Sequence, residues 1–92
     1  MFANYFNPVP QSILSLKEKL NTNTIGCHID CYNGDNFPNF DNADVALIIV
    51  PENRGDNSVK EPSSYYDFRK AFYSLFKGRW NLRIVDFGNL KS

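Results

Sequence analysis

The chain has one tryptophan, one methionine, one histidine and two cysteines in 92 residues, and its charges cancel. Ten Lys plus Arg against ten Asp plus Glu give a formal net charge of zero. Nucleic-acid binders usually carry a basic patch or stripe, and this sequence has none, so no nucleic-acid partner is expected. No apolar run approaches the roughly 20 residues that span a bilayer, so no membrane partner is expected either. Met1-Phe2-Ala3-Asn4-Tyr5 lacks a basic stretch leading into an apolar one, which is the mark of a secretory signal. The expected compartment is therefore the cytoplasm. Glycine is also sparse, with five in all. Neither G-x-G-x-x-G nor G-x-x-x-x-G-K-[ST] occurs, and a phosphate cradle needs several glycines so that backbone N–H groups can approach the oxygens. A G-x-S-x-G elbow is missing too, so the common α/β serine-hydrolase arrangement is unsupported.

The scarce thiols and imidazole sit together, with Cys27, His28, Asp30 and Cys31 inside five residues. A structural zinc site normally gathers four Cys or His ligands, and the whole chain offers three. If the segment is extended, Cys27 and Cys31 lie about 13 Å apart, beyond the roughly 4.4 to 6.8 Å that a disulfide tolerates between Cα atoms. Free thiols and a surface or structural histidine are the reading. No metal ligand and no catalytic residue is assigned in this chain. Arg54-Gly55-Asp56 spells an integrin-type tripeptide, which turn chemistry explains equally well without a secretory context.

What is abundant is aromatic and apolar. Eight Phe and five Tyr are many for this length, and the composition is that of a globular chain. The most apolar stretch, Val45-Ala46-Leu47-Ile48-Ile49-Val50, shows no alternation. That pattern predicts a strand over 44–50 covered on both faces, as in a parallel α/β sheet. It ends in a polar loop from Pro51 to about Pro62, at the carboxyl end of the strand, where open α/β sheets place their ligands.

Around that strand the other elements follow from spacing. Pro10 suits the first turn of a helix, and Ile13, Leu16 and Leu20 predict a short amphipathic one over 11–20, able to cover one face of the sheet. Thr24–Ile29 reads as a short strand or extended segment, Asn33-Gly34-Asp35-Asn36 as a turn, and Phe37 and Phe40 as pins for the loop that continues to Asn42. A helix over 63–77 carries a stripe of Tyr65, Phe68, Phe72, Leu75 and Phe76, with Arg69 and Lys70 off the stripe. Ser64 is its cap with Asp67 three residues on, and Gly78 its left-handed stop. Leu82–Phe87 reads as a second strand. The expectation is an α/β chain: a βαβ unit over 44–90, preceded by a lead-in over 1–43 with an extra helix.

Three pieces in order carry a resemblance. Val45-Ala46-Leu47-Ile48-Ile49-Val50-Pro51-Glu52-Asn53-Arg54-Gly55, then Phe68-Arg69-Lys70-Ala71-Phe72-Tyr73-Ser74-Leu75-Phe76, then Ile84-Val85-Asp86-Phe87-Gly88-Asn89 resemble the opening βαβ of the ureohydrolases. That family includes arginase, agmatinase and formimidoylglutamase. The longer lead-in is most similar to the formimidoylglutamase branch. The resemblance covers about half the chain, and Glu61-Pro62 departs from the Gly-Pro that many members have before the helix.

The resemblance implies a three-layer α/β/α, arginase-like sheet that is incomplete here. It also implies a parent enzyme that hydrolyses a C–N bond of a guanidino or formimino compound with two manganese ions. The family's metal motifs, G-G-D-H, D-A-H-x-D and D-x-D, do not occur in these 92 residues. The expectation is thus an amino-terminal segment of a larger hydrolase domain, inactive alone and binding no cofactor itself. Asn53, Arg54 and Asn57 are its candidates for the substrate rim. The remainder of the catalytic domain is the implied partner, and a sheet edge left open implies self-association. The alternative is a small stand-alone interaction module that binds through its aromatic surfaces.

Overall fold

The computed structural model describes residues 2–51, 63–79 and 81–91. The elements in chain order are β1 (Phe6–Asn7), α1 (Gln11–Glu18), β2 (Asp30–Cys31), β3 (Val45–Ile49), α2 (Ser63–Tyr73) and β4 (Ile84–Leu90). Single 3₁₀ turns occupy Phe2–Tyr5 and Gly26–His28. The four strands form one mixed sheet in which every other strand pairs with β4. β3 runs parallel to it along one edge, from Val45 opposite Ile84 to Ile49 opposite Asn89. On the other edge β2 pairs parallel beside Val85 and Asp86, and β1 pairs antiparallel beside Asn89 and Leu90. The chain is therefore α/β, and β3, α2 and β4 form a βαβ unit with its two strands adjacent.

The strand at the centre is not the one that hydropathy selects. β4 is buried from Ile84 through Asn89, whereas β3 lies at the edge of the sheet with Val45 at 40 %, Ile48 at 39 % and Val50 at 65 % exposure. The expectation that 44–50 is covered on both faces is thus corrected. β4 tolerates the central place despite its Asp and Asn because α2 supplies a buried partner for both, whereas nothing among the described residues covers the outer edge of β3.

Both helices lie on one face. Ile13 of α1, Tyr73 of α2 and Ile84 of β4 belong to one buried cluster with Val9, Ile25 and Ile29. The other face of β4 carries Val85 and Phe87, which pack with Phe6 and with Tyr32 and Phe37 from the irregular stretch before β3. Phe87 is the hub there, with ring centroids 4.7 Å from Phe37 and 5.4 Å from both Phe6 and Phe40. So Phe37 and Phe40 do pin their loop, and the loop takes the place expected of a second helical layer. Among the described residues, the helices cover one face only.

Local chemistry explains the remaining shifts. The segment expected as a strand over 24–29 instead makes the Gly26–His28 turn, and the strand begins two residues later, where Tyr32 N–H donates to the Asp86 carbonyl at 2.9 Å. Thr24 forms an antiparallel bridge with Phe76, and Ile25 N–H donates to the Leu75 carbonyl at 2.8 Å. That bridge draws residues 75–77 out of the helix, so α2 stops at Tyr73 rather than near 77, with the Ser74 hydroxyl donating to the Lys70 carbonyl at 2.6 Å. Gly78 has φ +59 as expected of a left-handed position, but it turns the chain after the bridge instead of stopping the helix. The inward stripe of α2 is also rotated: Arg69 and Tyr73 are fully buried, while Phe68, Leu75 and Phe76 are 46, 49 and 73 % exposed. The capping role read for Ser64 lies outside the described side chains. No helix of the described residues is long and apolar enough to cross a membrane.

One irregularity in β4 sets its chemistry. Leu47 faces Asp86 but Ile48 faces Gly88, so Phe87 is an extra residue and the strand carries a β-bulge. Gly88 has φ +94, and a Cβ there would collide with the Asn7 carbonyl oxygen. Only glycine meets both demands. Gly88→Ala is expected to lower stability by at least about 2–3 kcal/mol, from backbone strain plus the clash with β1. Urea unfolding checks this, and a loss of only a few tenths of a kcal/mol would show that the bulge is not needed.

Candidate functional site

The bulge decides which side chains of β4 meet α2. In a regular strand residues three apart point to opposite faces, so Asp86 and Asn89 would be separated by the sheet. The extra residue at Phe87 shifts the alternation, and both face Arg69. The Arg69 guanidinium donates from Nε to Asp86 Oδ2 at 2.9 Å and from Nη2 to Oδ1 at 3.0 Å, a two-pronged pair. Its Nη1 donates to Asn89 Oδ1 at 2.8 Å. All of this is out of water, with Arg69 and Asp86 at 0 % exposure and Asn89 at 7 %.

Two further donors complete the carboxylate. Tyr73, one turn after Arg69, donates its hydroxyl to Asp86 Oδ2 at 2.5 Å, and Gly88 N–H donates to Oδ1 at 2.9 Å. A carboxylate offers about four lone-pair directions, and here two guanidinium bonds, a phenol and a backbone amide fill them. Because the tyrosine proton is committed to Asp86, the Cys31 thiol 3.2 Å from the phenol oxygen is the donor of that contact. The chain of contacts thus runs from β2 through α2 to β4: Cys31, Tyr73, Asp86, Arg69 and Asn89.

Electrostatics follow from this burial. Desolvation pushes the Cys31 thiol up from an ordinary 9.0 to about 11, and the negative Asp86 reinforces the rise. Tyr73 is raised well above an ordinary 10.0, first by burial and then by the Asp86 charge. Both groups are held neutral, so neither is poised as a nucleophile or base. The saturated Asp86 carboxylate has no lone pair left to offer a metal. Chemically, the network is a brace that fixes α2 to the carboxyl end of β4, beside the point where β3 runs out.

That point is where the polar loop departs. Ile49 is the last β3 residue in register, opposite Asn89, and Pro51 is the last described residue before α2. Asn53, Arg54 and Asn57, the rim candidates, lie outside the described residues. Residues singled out earlier are placed as follows. Cys27 and Cys31 are both free thiols. His28 is exposed, with Nε2 2.9 Å from the Thr22 carbonyl oxygen. Asp30 is exposed and accepts from Arg83 at 3.2 Å. Among the described residues no three of His, Cys, Asp and Glu are grouped so as to hold a metal ion. A polar cleft of about 430 Å³ opens between α1 and β2, lined by Gln11, Lys17, Glu18, Asp30 and Asp35 with Cys31 beside them.

Sequence reasoning missed Arg69 and Tyr73, which apolar periodicity places off the inward stripe. A charge inside an apolar strand needs a partner, and Asp86 amid Ile84, Val85 and Phe87 was the signal that could have found them.

The raised Cys31 and Tyr73 give a pH dependence with a definite sign. The folded state holds these two protons more tightly than the unfolded chain, which therefore releases them first as pH rises. Stability is fully present below pH 9 and is lost as pH climbs from the ordinary 9.0 and 10.0 of the two groups toward their raised folded values. Tyr73→Phe is expected to remove the part of that fall that sets in near pH 10, leaving the part that Cys31 begins near 9.0, while lowering stability near neutrality by about 1–3 kcal/mol, because Asp86 loses a donor. Unfolding curves recorded from pH 7 to 11 check both parts, and an unchanged alkaline slope in the variant would contradict the assignment.

Compared with known proteins, the chain matches no family model, no curated protein and no solved structure.

Proposed function

We propose that this chain is the amino-terminal part of a ureohydrolase-like enzyme, a metal-dependent hydrolase of C–N bonds in guanidino or formimino compounds. The observation that carries the reading is the union of two of the pieces on which the resemblance rests. The R-K-x-F-Y run on α2 and the D-x-G-N run of β4 meet in one buried unit, through Arg69, Tyr73, Asp86, Gly88 and Asn89. Each of these five residues has a physical task there, which supports reading the two pieces as one unit. The parallel β3–α2–β4 unit, with its polar connection leaving at the carboxyl strand ends, supports the same reading.

On this reading the network is a positioning device, and Asn53, Arg54 and Asn57 contribute to the rim of the substrate mouth. The two manganese ions of such an enzyme would supply a water of lowered pKa. The described residues do not form a site for them, so no catalytic step is assigned to this chain. The metal ligands belong to the remainder of the catalytic domain, which is its implied partner.

The test is to read the encoding transcript past Ser92 and to assay the protein it specifies. The expected outcome is an in-frame continuation into strands rich in histidine and aspartate. Its product should release urea or formamide from guanidino or formimino compounds only when manganese is present, with the 92-residue chain alone inactive. A natural stop codon directly after Ser92 would overturn the proposal, leaving the interaction module as the better reading.

A further inference from the structure

The outer edge of β3 is built in a way that identifies its occupant. The strand pairs with β4 on one side, and no described strand pairs with the other. Proteins normally block such an edge with a charge, a proline, a bulge or a covering segment. From Val45 to Val50 there is no charge and no proline, and the bulge of this sheet sits in β4 instead. The two sides of the strand are half-bare as well. Val45 is 40 % exposed on the helical side, and Ile48 and Val50 are 39 and 65 % exposed on the other. The described structure thus presents a ladder of backbone donors and acceptors flanked by apolar side chains.

Charge selects what can meet it. A partner edge bearing Lys or Glu would bury that charge against valine and isoleucine with no counter-ion, at a cost of several kcal/mol. An uncharged edge escapes this. β1 is uncharged too, but it is two residues long and followed by Pro8, so β3 is the one described uncharged edge long enough to match β3 itself. We propose that β3 pairs with the β3 of a second copy, antiparallel about a two-fold axis, so that one sheet runs through both chains. A two-fold makes the contact isologous and closed, with the Ile48 side chains brought near one another on the face away from the helices.

Size sets the strength. A five-residue strand is about 17 Å long, and its edge alone falls short of the roughly 1,200–2,000 Å² that stable interfaces bury. The exposed Val45, Ile48 and Val50 must close over the joint, so a weak, concentration-dependent dimer is expected. On the enzyme reading the rest of the sheet would take this edge in the longer protein, so the dimer belongs to the 92-residue chain and is measured on that chain.

Sedimentation equilibrium over a dilution series, combined with amide hydrogen exchange, tests it. The 92-residue chain is expected to dimerise reversibly, with the amides of 45–50 gaining protection as concentration rises. Ile48→Lys is expected to weaken the dimer by at least about tenfold. Val50→Lys, at the most exposed position of the stretch, is expected to weaken it in the same direction and serves if Ile48→Lys does not fold. Phe76→Ser, on the exposed aromatic surface after α2, should leave the dimer unchanged. A monomer at every concentration would overturn the proposal, as would a dimer insensitive to both lysines or one that Phe76→Ser abolishes.

Discussion

The described fold depends on a buried ion pair that joins a helix to the central strand of the sheet. Arg69 and Asp86 come from different elements, are wholly removed from water, and are held by two parallel hydrogen bonds. Removing either partner leaves the other as an uncompensated charge in the interior, which costs more than the pair contributes. That asymmetry ties α2 to β4. Every other strand pairs with β4, so fixing α2 on it fixes the helix against the whole sheet.

The geometry around the pair is a set of mutually required choices. Asp86 and Asn89 can both face Arg69 only because Phe87 is inserted as a bulge. The bulge requires a residue at positive φ beside the Asn7 carbonyl, and Gly88 alone satisfies it. Phe87 keeps the face of Val85, opposite Asp86, where it gathers Phe37, Phe40 and Phe6. β4 thus carries a polar network on one side of the sheet and an aromatic cluster on the other. Tyr73 and Cys31 extend the polar side to β2, so that the network joins three elements.

Much of the outline was legible in the sequence: the α/β class, the strand–helix–strand order over 44–90, the α1 helix starting after Pro10, and the pinning role of Phe37 and Phe40. The centre of the sheet was not, because hydropathy ranks β3 above β4. A buried strand is recognised by apolar content, but β4 reaches the interior through matched polar groups, and the match lies 17 residues away in sequence at Arg69. The same effect hid the inward face of α2. Arg69 looks like a solvent-facing residue between Phe68 and Phe72, and its partners turn it inward together with Tyr73. Residues 75–77 leave the helix for a tertiary reason too, since pairing with Thr24 and Ile25 competes with continued helical bonding.

The account makes the Arg69–Asp86 pair a coupled unit, and a double-mutant cycle measures that coupling directly. Arg69→Met and Asp86→Leu, alone and together, are compared by urea unfolding. Each single variant is predicted to lose about 3–5 kcal/mol, because a buried charge is left without its partner. The double variant, with both charges gone, is predicted to be more stable than either single one. Additive losses, with the double variant the least stable of the three, would contradict the claim that this pair holds helix and strand together.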